Sequence, residues 1–122
     1  MDIFNAVRNN DFGLLKSELN NQNINNQDKN GMSLLMHAID NNSYDIAKYL
    51  IQSGINIDIQ DKYGQTAVML AAGRNLQNIV KLLIESKANL KLISKSKLTA
   101  YGFAEDNGNI EVAKIIKKYE GK

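Results

Sequence analysis

The chain has 122 residues, enough for one domain that buries roughly two-thirds of its unfolded surface without covalent staples. It has no Cys, which excludes disulfides, thiolate metal sites and Cys nucleophiles and suits a reducing compartment, and its single His, His37, leaves little for metal or acid–base chemistry. The net charge of +2 hides an asymmetry: residues 1–61 carry 4 Lys/Arg against 8 Asp/Glu, and residues 62–122 carry 11 against 5, a dipole able to steer a polar partner if the fold is elongated.

The chain opens on Met1-Asp2-Ile3-Phe4, which lacks the basic and apolar segments of a secretion signal. No apolar run approaches the ~18 residues of a membrane span. A cytoplasmic protein with no membrane segment is the expectation. "NAVRNNDFGLLKSEL" follows, and the sequence then repeats itself. "DKNGMSLLMHAIDNN" begins at Asp28, "DKYGQTAVMLAAGRN" at Asp61 and "SKSKLTAYGFAEDNG" at Ser94, each 33 residues after the last. Downstream, "DIAKYLI" (45–51), "NIVKLLI" (78–84) and "EVAKIIK" (111–117) hold the same register. The first unit fits one residue short, so that Ala6, Ala38, Ala71 and Ala104 are equivalent.

Each unit predicts two helices. Thr66 can cap the first, with Val68, Ala71 and Ala72 on one face. Ile79, Leu82 and Leu83 mark the apolar stripe of the second, as do Ile46, Tyr49 and Leu50 in the unit before and Val112, Ile115 and Ile116 in the unit after. Between units, "NIDIQDKYG" alternates apolar and polar residues and ends on Gly64, which predicts a projecting hairpin.

The period, "DKYGQTAVMLAA" and "NIVKLLIESKANL" resemble the ankyrin repeat, whose unit reads roughly D-x-x-G-x-T-P-L-H-x-A-A followed by V-x-x-L-L, G-A and V-N. The resemblance implies an all-α solenoid of four stacked helix-turn-helix units, about 1–27, 28–60, 61–93 and 94–122, with β-hairpin loops. Departures are local. Leu34, Ala67 and Ala100 stand where the family prefers Pro, Met36, Met69 and Gly102 replace its His, and Lys97 replaces the turn Gly, so the fourth unit should have the least ideal hairpin. At the ends, Ser17 and Glu18 take the places of apolar pairs, and Glu105 and Lys117 those of Ala72 and Ile84. These polar faces predict a complete, self-capped and monomeric stack.

Catalysis has little support. His37 aligns with Leu70 and Phe103, so it reads as a packed structural residue. Asp40, Asp45, Asp58 and Asp61 are dispersed and lack the spacing of a calcium loop. No phosphate-loop, nucleophile-elbow or zinc-protease motif occurs, and neither a cofactor nor a metal is expected. The stretch Lys87, Lys91, Lys95, Lys97 could meet an anionic polymer or phospho-ligand, the alternative function. Its aromatic neighbours Tyr101 and Phe103 sit at core-equivalent positions, which argues against nucleic acid.

What remains is surface. Ankyrin proteins generally bind other proteins through the loop tips and the exposed side of the first helix, the concave face. Carried over, those positions are Lys29, Asn30, Met32, Asp40 and Asn41 in the second unit, and Lys62, Tyr63, Gln65 and Arg74 in the third. In the fourth they are Lys95, Ser96, Leu98, Asp106 and Asn107. Tyr63 and Arg74 are of the types enriched in interface hot spots and should flank one central patch, and Met32 and Leu98 are apolar without an evident packing need.

Overall fold

A computed structural model describes residues 2–120; Met1, Gly121 and Lys122, the outer limits of the first and last units, lie outside the described residues. Helices α1 (Ile3–Arg8), α2 (Phe12–Glu18), α3 (Leu34–Asp40), α4 (Tyr44–Gln52), α5 (Ala67–Gly73), α6 (Gln77–Glu85), α7 (Ala100–Asp106) and α8 (Ile110–Glu120) follow in order. Consecutive helices pack in pairs, α1 on α2 through to α7 on α8. The first helices of the pairs, α1, α3, α5 and α7, form one layer, and α4, α6 and α8 pack in sequence as a second.

Local chemistry starts each first helix. The side chains of Asp2, Ser33, Thr66 and Thr99 accept from backbone N–H groups of the first turns of α1, α3, α5 and α7, supplying partners to donors the helix itself cannot satisfy. Leu34, Ala67 and Ala100 are the first helical residues, so the helices form without Pro there. Met69 adds a sulfur acceptor, 3.4 Å from the Thr66 N–H.

The core follows the repeat. Ala6, Ala38, Ala71 and Ala104 are buried, which lets the first-helix layer pack closely. Ile46, Leu50, Ile79, Leu83, Val112 and Ile116 are buried between the layers, each stabilising the fold by about 1.5–3 kcal/mol. Leu82, Tyr49 and Ile115, each one position before a fully buried residue of the stripe, are half-buried. Ser17, Glu18, Glu105 and Lys117 are exposed at the two ends.

The expected β-hairpins are absent as strands. Among the described residues the only β pairing is an isolated bridge between Gln27 and Ser33. Each connection closes instead on a tight turn, with Gly31, Gly64 and Lys97 donating to the carbonyls of Asp28, Asp61 and Ser94. Extension fails because Asn and Asp side chains take the backbone's partners: Asn56 Oδ1 accepts the Asp58 N–H at 3.0 Å and kinks the segment that the alternation predicts to be extended.

Candidate functional site

Turns joining one pair of helices to the next form a row of tips, at Asp28–Gly31, Asp61–Gly64 and Ser94–Lys97. The first two are built alike. Asp28 Oδ1 accepts from the N–H groups of Asn30 (2.9 Å) and Met32 (3.0 Å), and Asp61 Oδ1 from those of Tyr63 and Gln65, both at 2.9 Å. Successive tips are hydrogen-bonded through Lys62 N to Asn30 O and Lys95 N to Tyr63 O. Glutamine side chains reinforce the row: Gln27 donates to Gly31 O and Gln60 O, and Gln60 to Gly64 O and Ile93 O.

This stacking explains two glycines. Gly31 and Gly64 have φ of +77° and +74°, and a Cβ on them would lie 2.9 Å from Lys62 N and 3.0 Å from Lys95 N. Lys97 takes the same left-handed conformation, φ +71°, on the tip that no later described tip covers. The turn there closes like the others, with a lysine in place of the glycine.

Exposed on the row are Lys29, Lys62, Tyr63, Lys95 and Ser96, with Asn30, Met32, Gln65 and Leu98 half-buried. Lys62 Nζ is 3.0 Å from Asn30 Oδ1 and 5.1 Å from the centre of the Tyr63 ring, so these three residues form one cluster. Tyr63 is 57% exposed.

Helix ends hold the others. Asp40, Asn41, Arg74, Asp106 and Asn107 are exposed, and most are engaged internally. Arg74 pairs with Asp40 at 2.7 Å and also donates to its carbonyl, and the Asn41 amide donates to Val7 O and Arg8 O, tying each unit to the one before. Asn107 donates to Phe103 O. Tyr63 and Arg74 lie beyond opposite ends of the seven-residue α5, about 10 Å of helix apart. Leu98 has a packing role that the sequence reading denied it, since its side chain lies over Gly102.

Unforeseen in the sequence is a cleft of about 520 Å³ beside the first tip. It is bordered by Phe4, Arg8, Asp28, Met32 and His37. His37 is a packed residue: its Nε2 is 2.8 Å from Asp28 Oδ2 and its ring meets Phe4 edge-on at 5.4 Å. Burial raises the Asp28 pKa, but the hydrogen bonds from His37 and from the Met32 and Asn30 N–H groups outweigh it and hold the carboxyl below its ordinary value of 3.8. The signal for this cluster was weak because Phe4 and Arg8 belong to the first unit, which is shorter by one residue and has no tip of its own. At the far end, a hydrogen bond with Glu105, with smaller contributions from burial and nearby carboxylates, raises the Tyr101 phenol above 10.0.

A family profile described as Ankyrin repeats (3 copies) matches residues 3–94 and 53–122. The chain belongs to the ankyrin-repeat family. Ankyrin repeats are generally protein–protein interaction modules and are typically not enzymes. No curated protein matches the chain. Among the described residues no cluster of His, Cys, Asp and Glu could hold a metal ion, and no helix is long and apolar enough to cross a membrane.

Proposed function

We propose that this ankyrin-repeat chain is a non-catalytic module of four units, bounded near residues 27, 60 and 93, that binds a partner protein along its tips and the adjoining side of its first helices. It works as a monomer in the cytoplasm, without a cofactor. The observation that supports this most is Tyr63. A large ring stands 57% exposed at the centre of the row, with the Lys62 ammonium over it, and an amphipathic ring presented this way suits a protein interface. Lys29, Asn30, Met32 and Gln65 extend the surface on the tips, and Asp40, Asn41, Arg74, Asp106 and Asn107 along the helix ends. Lys95, Ser96 and Leu98 close the row.

The test is a pull-down from the native source with the parent chain and with Tyr63→Ala/Arg74→Ala, followed by affinity measurement on the captured partner. The double variant should weaken the complex by more than about 2 kcal/mol, the scale of an interface hot spot. An unchanged affinity would show that the partner docks elsewhere.

A further inference from the structure

The last tip differs from the other two in charge, in the residue held in the left-handed conformation and in the residue that flanks it. From Ser86 to Ala104 the chain has no Asp or Glu, while Lys87, Lys91, Lys95 and Lys97 are all exposed. The turn aspartate of the first two tips is replaced by Ser94, whose hydroxyl takes over the turn by accepting from Leu98 N and bonding Ser96 Oγ at 2.7 Å. Lys95 and Lys97 thus lose the carboxylate built into the other tips, while Lys91 borders a groove that Glu120 also lines. No ion pair among the described residues engages any of the four.

Backbone geometry singles out the same stretch. Of the residues with positive φ, all are Gly or Asn except Lys87 and Lys97. Lys87 stands where the previous unit has Gly54, and Lys97 where the other tips have Gly31 and Gly64. Holding a lysine in the left-handed region is unfavourable, and non-glycine residues kept there concentrate at functional sites.

Ile93 supplies a third difference. It replaces Gln27 and Gln60, whose amides stitch tip to tip, and it is 50% exposed. Burial alternates along this segment: Leu90, Leu92 and Ser94 turn inward, and Lys91, Ile93 and Lys95 turn outward.

We infer that Lys91, Ile93, Lys95 and Lys97 form a docking surface for an acidic segment of a partner protein, with carboxylates on the lysines and one apolar side chain against Ile93. The inference rests on the reading of the chain as a protein-binding module and names the chemistry met by its last tip. An aliphatic side chain rather than a ring stands between the lysines, which favours a peptide over stacked bases.

The test is fluorescence anisotropy on the full chain with a short labelled peptide of Glu and Asp around one central Leu. Lys91→Glu/Lys95→Glu should raise Kd by about tenfold or more, through loss of charge complementarity. Ile93→Gln should weaken binding severalfold, and a peptide lacking the Leu should bind the parent less tightly. Lys97→Gly, which restores the turn glycine, should raise the melting temperature while weakening the peptide, opposite movements that a merely structural lysine would not produce. Failure of the parent to bind the peptide, or affinities indifferent to these substitutions, would overturn the inference, as would a labelled oligothymidylate that binds as tightly and ignores Ile93→Gln. The Tyr63→Ala/Arg74→Ala variant should hold the peptide like the parent, so failure of the central interface and failure of this surface are read separately.

Discussion

The first two tips and the last close the same turn with different residues, and the difference follows from what is stacked on each. Asp28 and Asp61 organise their turns with a carboxylate, and Gly31 and Gly64 leave room for the backbone of the next tip. Ser94 and Lys97 occupy those positions on a tip on which no later described tip stacks, and there a hydroxyl suffices and a side chain is tolerated. Positions under a neighbouring unit are fixed by sterics, and the last described tip carries charge at the same places.

The largest effect should come from the interior that both kinds of tip rest on. Leu83→Ala removes a fully buried side chain and should cost about 2–5 kcal/mol in urea unfolding. Lys117→Ala, at the exposed place that Ile84 fills one unit earlier, should change stability by less than about 0.5 kcal/mol. Equal losses would mean that the layers are misassigned.

The comparison between tips is broken or sharpened by the turn glycine. Gly64→Ala combines a positive φ with a Cβ 3.0 Å from Lys95 N and should destabilise by roughly 1–3 kcal/mol. Lys97→Gly should stabilise by about 1 kcal/mol or less, with thermal unfolding as the readout. A substitution at Gly64 as mild as one at Lys97 would show that stacking of the next tip is not what selects glycine.

Asp28 gives a smaller, pH-dependent effect. Its pKa is lower folded than unfolded, so its contribution is complete above the unfolded value and is lost as pH falls through the folded one. Asp28→Asn should therefore cost about 1 kcal/mol at neutral pH, and its deficit against the parent should vanish in acid, below the ordinary value of 3.8. A deficit constant across denaturation curves at neutral and acid pH would remove the carboxylate from the account. The smallest effect is expected at Tyr63→Ala, less than about 0.5 kcal/mol in stability, since the residue is 57% exposed.

The helices were legible because their signals are local and recur: the caps at Ser33, Thr66 and Thr99, the alanine column and the Leu/Ile stripes each appear in several registers. The tips were legible in position but not in form. Alternating burial at Ile55, Ile57 and Ile59 looks like a strand, yet the Asn56 side chain bends the segment, and side-chain competition of this kind is invisible to periodicity. The surface residues were located one unit at a time, which hid links between units. Arg74, a residue type enriched in interface hot spots, is held by Asp40, 34 residues earlier, and the Asp28–His37–Phe4 cluster joins two units whose alignment is offset.

The central claim is that a partner protein covers the tips and the first-helix side rather than the second helices. Hydrogen exchange read by mass spectrometry, on the chain alone and saturated with the partner captured from its native source, tests it most directly. The account predicts slowed exchange at residues 28–32, 61–65 and 94–98 and at the ends of α3, α5 and α7, with α4, α6 and α8 unchanged. Protection confined to α4, α6 and α8, with the tips exchanging as in the free chain, would contradict it.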